Sequence, residues 1–99
     1  MSQPAYFVFQ ATINDVEGMK PYQQRVHGTL QAYRGTVVVA GGAVESREGA
    51  APQGKIFIVR FDSMADARAW YDSPDYQAII GYRLAAAECI AFLLEGVAL

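Results

Sequence analysis

From Ala5 to Ile13 the chain alternates. Ala5, Phe7, Phe9, Ala11 and Ile13 make one apolar face, and Tyr6, Val8, Gln10 and Thr12 make a mixed one. That period of two predicts a strand. The period then lengthens. Asn14 and Asp15 offer a cap, with Glu17 three residues after Asn14. Met19, Tyr22, Val26 and Leu30 follow at helical spacing, so a helix is predicted to about Tyr33. Pro21 kinks or delays its start. Gly28 costs it about 1 kcal/mol relative to alanine. Gly35 reads as a left-handed stop. Thr36 to Ala40 is β-branched and apolar, a second strand. Gly41-Gly42 suggests a bulge or a close backbone approach inside it, with Val44 to Ser46 continuing beyond the bend. Arg47 to Gly54 reads as a hairpin loop, and Lys55 to Phe61 as the third strand.

The stretch from Phe61 to Arg83 carries the strongest punctuation. Ser63 can accept from the N–H groups that open a helix, and Asp66 stands three residues on. Ala67, Trp70 and Tyr71 share a helical face. Pro74 forces Ser73 out of the helical region, so this helix ends near Asp72. Ser73-Pro74 then starts another helix, with Asp75 in its first turn. Tyr76, Ile79, Ile80 and Arg83 share its apolar face. An arginine there is either a hidden anion site or, as is commoner, a rim residue reaching round to water. Glu88 to Glu95 is the fourth strand, and Gly96 ends it.

The order of elements predicts an α+β fold: one ferredoxin-like βαββαβ domain over residues 1–99, with an antiparallel four-stranded sheet. Helices cover one face of such a sheet, and the other should be polar. Here both are apolar. Phe57, Val59 and Phe61 oppose Ile56 and Ile58; Cys89, Ala91 and Leu93 oppose Ile90, Phe92 and Leu94. The expectation is a homodimer through the uncovered sheet face, burying roughly 1,200–2,000 Å² or more.

A family resemblance points the same way. Ala67, Ala69-Trp70-Tyr71 and Ser73-Pro74-Asp75-Tyr76-Gln77, with Tyr33-Arg34-Gly35 and Gly41-Gly42-Ala43-Val44, resemble the domain of unknown function 1330 family. That family belongs to the dimeric α/β-barrel superfamily, and the similarity spans nearly the whole chain. The resemblance implies a ferredoxin-like fold whose sheets pair into a barrel. The superfamily includes cofactor-free monooxygenases, isomerases and haem enzymes, so it does not choose an activity. Ala40 departs from the pattern, since members often carry a basic residue just before the paired glycines.

Composition narrows the partners. The chain is 53 % apolar, high for 99 residues, with a net charge of −2 and a pI near 5.2. That balance argues against nucleic acid and against an anionic membrane surface. Lys55 to Phe61 loosely echoes the third strand of RNA-recognition domains, but Ile56 and Ile58 stand where that motif needs glycine. Cys89 is the one cysteine, which excludes an internal disulfide and a thiolate cluster. No signal peptide or membrane-spanning run is recognisable, so a cytoplasmic protein is expected.

Candidate chemistry is sparse. His27, the one histidine, would act as a general base or haem ligand from the first helix, facing the sheet, or be merely an exposed helical residue. One histidine without a carboxylate cluster gives too few metal ligands, and no cofactor is expected. The catalytic candidates are His27, Tyr76 and Arg83. Tyr6, Tyr22, Trp70, Tyr71, Tyr76 and Tyr82 are candidates for lining a small-molecule cavity; otherwise they fill the core and the dimer seam. Arg68, Asp72, Asp75 and Arg83 could form an acid/base pair, but read more simply as caps and local ion pairs. Cys89 reads as packing. Two functions remain open: a cofactor-independent, monooxygenase- or isomerase-like enzyme on a small metabolite, and a non-catalytic dimeric binding module.

Overall fold

The computed structural model describes residues 3–98. Its elements are β1 (Ala5–Ile13), α1 (Val16–Gln31), β2 (Thr36–Ala40), β3 (Lys55–Phe61), α2 (Met64–Tyr71), α3 (Pro74–Ala86) and β4 (Ala87–Glu95). The four strands form one sheet in the order β2-β3-β1-β4, and every neighbouring pair is antiparallel. This is the ferredoxin-like βαββαβ arrangement.

Local chemistry accounts for the boundaries. Asp15 alone caps α1, accepting from the Gly18 N–H at 3.0 Å; the expected Asn14–Glu17 reciprocal cap does not form. Pro21 lies inside α1 without ending it. The helix closes two residues before Tyr33, with the Gly35 N–H reaching the Leu30 carbonyl and the Arg34 N–H reaching that of Gln31. The left-handed residue there is Arg34, at φ 56°, and not Gly35. Gly35 is required for another reason. A Cβ on it would come within 2.8 Å of the Phe61 ring and 2.7 Å of Leu30.

Ser63 and Ser73 both cap as expected. Ser63 accepts from the Asp66 N–H at 3.1 Å. Ser73 is extended at ψ 147°, accepts from the Tyr76 N–H at 3.2 Å and donates to the Trp70 carbonyl at 2.7 Å. One hydroxyl therefore ends α2 and starts α3. The Gln77 amide adds a clamp on the Tyr71 carbonyl at 2.7 Å.

Two expectations about β2 are corrected. The irregularity falls at Val38, between the Val37–Val59 and Val39–Ile58 pairs, and not at the glycines. The strand ends at Ala40, where Gly41 turns at φ 74°, and residues 44–46 lie outside it. The left-handed turn at Gly41 directs the chain out of the ladder. Nor do Arg68, Asp72, Asp75 or Arg83 form ion pairs among the described residues. The pairs present are Lys20–Glu17, Arg34–Asp62, Arg34–Asp66 and Arg60–Asp62, all partly exposed and worth little each.

The helices cover the face carrying Ala5, Phe7, Phe9 and Ala11, and the core sits between. Trp70, Tyr76 and Phe61 are its largest fully buried side chains. On the other face Val39, Ile58, Val8 and Phe92 pair in turn across all four strands. Ile90, Phe92 and Leu94 stand 60 %, 43 % and 49 % exposed there. No element of the described residues covers this second apolar face.

Candidate functional site

The break at Ser73-Pro74 sets the phase of α3. From that start Tyr76, Ile79 and Arg83 all turn inward and are buried. They meet α1, which brings Met19, Tyr22 and Leu30 to the same layer. The Tyr22 and Tyr76 hydroxyls share a hydrogen bond of 2.8 Å across 54 residues of sequence. Beside them, between α1 and the β3 side of the sheet, is a cavity of about 170 Å³. Its wall is almost wholly apolar, made chiefly by Phe9, Leu30, Val37, Phe57, Val59 and Trp70. The polar lining residues are Tyr22, Gln23, His27 and Arg83. Gln23 and His27 are exposed and stand at the mouth.

Arg83 is the unusual member. It is 4 % exposed, so the rim reading fails. The reason is that α1 packs across α3 and covers the side chain, leaving it to face the cavity described above. Its guanidinium lies over the rings of Phe9, at 5.2 Å, and Tyr22, at 5.8 Å. No carboxylate of the described residues pairs with it, and its Nε–H is buried with no partner. Each ring contact is worth ~0.5–2 kcal/mol. Burying a cation without a counter-ion costs several kcal/mol, so the rings offset only part.

Burial works to lower the pKa of Arg83. The Tyr76 phenol, the Cys89 thiol and the Tyr22 phenol work against it and prevail, so the guanidinium keeps its charge. Burial also pushes the Tyr22 phenol well above its ordinary range, reinforced by Tyr76, and raises Tyr76 itself. Near neutral pH both are un-ionised phenols: hydrogen-bond donors and acceptors, not bases. The arrangement places a positive charge and the Tyr22 hydroxyl at the wall of an almost wholly apolar cavity, the means by which sites hold negative charge.

The other candidates divide. Trp70 lines the cavity and anchors it, donating from Nε1 to Thr29 Oγ1 at 3.0 Å, while Thr29 donates to the Val26 carbonyl at 2.7 Å. Tyr76 is fully buried behind the wall and reaches the cavity through Tyr22. Tyr71 is half-buried outside it, stacked on Phe7 with ring centroids 5.2 Å apart. Tyr6 lies on the opposite sheet face, beside Leu94 and Arg60 in register; the alternation of β1 puts it there. Tyr82 is 41 % exposed. His27 reaches the mouth but lies on the exposed side of α1, with no hydrogen bond orienting its ring among the described residues. Thr29 was missed, and only its position one turn from Val26 marks it as able to bond back to the helix. A shallower depression of about 410 Å³ near Thr12, Val16 and Lys55 contains no buried charged group. No cluster of three or more metal-ligating side chains exists among the described residues, and no helix there is long and apolar enough to cross a membrane.

The family described as domain of unknown function (DUF1330) matches residues 4–97. The chain belongs to this family. No curated protein matches it in sequence. Among solved structures it is similar to a protein of unknown function from Rhodopseudomonas palustris, with TM-score 0.77 and 16 % identity over 99 % of this chain and 85 % of that one. SnoaB, a cofactor-independent oxygenase from Streptomyces nogalater, gives TM-score 0.61 and 12 % identity over 99 % and 97 % of the two chains. A dimeric ferredoxin-like protein of unknown function from Thermobifida fusca gives 0.53 and 16 % over 96 % and 92 %. At these identities the likeness establishes the fold of this DUF1330 chain and nothing finer.

Proposed function

We propose that this DUF1330 chain is a cofactor-independent, enzyme-like protein. It takes a small, mostly apolar metabolite into the cavity between α1 and the sheet. Arg83, with the Tyr22–Tyr76 pair beside it, holds the oxygen-bearing end of the ligand. His27, at the mouth, takes or returns a proton, the role for which its side-chain type is suited near neutrality. The observation that carries this is the charged Arg83, buried against an otherwise apolar cavity with no carboxylate partner among the described residues and an unsatisfied Nε–H. The likeness in fold to a cofactor-independent oxygenase supports the class of chemistry by analogy.

The test is solvent deuterium uptake into a panel of small aryl and branched carbonyl compounds, followed by NMR with purified protein. Uptake should exceed the blank for compounds that bind. His27→Ala should lower it at least about tenfold at unchanged affinity, since a positioned acid–base group is worth 10²–10⁴-fold. Full uptake in His27→Ala would remove histidine from the reaction. A second reading, a binding module without chemistry, draws on the unoriented His27 ring; ligand binding with no exchange would select it.

The working unit is a homodimer formed through the open sheet face, with Ile90, Phe92 and Leu94 in the seam. A contiguous apolar face of this kind marks an interaction surface, and the Thermobifida fusca protein of like fold is dimeric. Phe92→Glu should convert a dimer to a monomer in light scattering. A wild-type chain that is monomeric at micromolar concentration would contradict the assembly. The absence of any possible internal disulfide fits a cytoplasmic setting.

A further inference from the structure

The cavity's chemistry narrows the ligand further. Its volume, about 170 Å³, is close to that of an engineered apolar cavity of about 150 Å³ that accommodates one benzene ring. The wall is carbon except at Tyr22, Gln23, His27 and Arg83. Gln23 and His27 are at the mouth, so the inner end is a single cation beside a phenol. That cation is 4 % exposed, without a carboxylate partner, and has a buried Nε–H that nothing accepts. Tyr22 and Tyr76 are already bonded to each other and carry no charge to neutralise it.

We infer that the pocket binds a compact monoanionic carboxylate, with an apolar body the size of one aromatic ring or a short branched chain, its carboxylate on Arg83 and its body against Phe9, Leu30, Phe57 and Val59. The inference rests on the pocket reading above and adds charge and size to it. A neutral ligand of the same shape leaves the guanidinium without a counter-ion, as it is in the free protein. A carboxylate supplies the missing charge and an acceptor for the Nε–H, and the planar guanidinium suits it in a two-point contact. A dianion adds a second charge for which the inner cavity has no cation. A two-ring body overfills the space. The orientation leaves the far end of the ligand at the mouth, next to His27.

Calorimetric or NMR titration tests this with four probes: benzoate, benzamide, toluene and 2-naphthoate. Benzoate should bind at least about tenfold tighter than benzamide, the scale of one charge-assisted hydrogen-bonded contact. It should also outbind 2-naphthoate. Arg83→Met should abolish the preference for benzoate while toluene still binds, with the variant's fold checked by circular dichroism. Arg83→Lys keeps the charge but not the fork, and should leave a reduced preference; it serves if the methionine variant does not fold. Toluene binding with no preference for benzoate would overturn the anion assignment and leave the pocket standing. Benzoate binding untouched by either Arg83 variant would overturn the assignment to Arg83. Equal binding of 2-naphthoate would overturn the size limit. If no probe binds, the pocket reading and this inference fail together.

Discussion

The layer between helices and sheet has two ends, built from similar residues and finished differently. Around Trp70, which also forms part of the cavity wall, the packing behind that wall is closed. Trp70, Phe61 and Tyr76 are fully buried, the Trp70 indole lies 4.1 Å from the Tyr76 ring between centroids, and its N–H is satisfied by Thr29. At the Arg83 end the same layer has a hollow of about 170 Å³ with a charged group at its inner wall and an unmatched donor. Every buried polar group at the first end has a partner within the chain, as folded interiors generally require. At the second end the chain stops short of completing itself. Physical chemistry distinguishes the two: one end contributes stability, and the other carries the cost of a buried cation without a counter-ion.

Substitutions should expose the difference. Trp70→Ala should have the largest effect, a loss of ~3–5 kcal/mol in chemical denaturation, because it opens a large void at the closed end. Arg83→Met should go the other way, from neutral to about 3 kcal/mol more stable, since an apolar side chain replaces a buried cation that has no counter-ion. A loss as large as that of Trp70→Ala would show that Arg83 serves the fold and would erase the distinction. Tyr76→Phe lies at the boundary between the ends. It should cost ~1–2 kcal/mol, leaving the buried Tyr22 hydroxyl without its partner.

The tyrosine pair also sets an alkaline limit. Burial raises both phenols above the ordinary value of 10.0. Above pH 10 the unfolded chain therefore releases protons that the folded chain still holds, and stability falls as pH rises. Tyr22→Phe and Tyr76→Phe should each make that decline shallower in pH-dependent denaturation.

Much of this was legible in the sequence. Ser63, Ser73-Pro74 and the alternations of β1 and β3 gave the elements, because capping and period are local properties. The face shared by Tyr76, Ile79 and Arg83 was legible for the same reason. Whether that face would be covered was not, since it depends on where α1 lies, and Tyr22 meets Tyr76 across a gap of 54 residues. Arg83 was thus visible as an anomaly but not as a buried one. Tyr6 illustrates the opposite case: its even position on β1 already separated it from Phe7 and Phe9, and its aromatic character obscured a register that was readable. The left-handed turn at Arg34 was hidden by the glycine next to it, which is needed for space against Phe61.

The claim that Arg83 is kept buried and unpaired for a ligand can be put to one resonance. In ¹⁵N-labelled protein the Arg83 Nε–H should exchange slowly with water, because it is enclosed, and should show no hydrogen-bond acceptor in the free state. Addition of benzoate to saturation should move it to the shift of a charge-assisted hydrogen bond, with Arg83→Lys identifying the signal by its loss. A resonance that stays in place while benzoate binds would contradict the account.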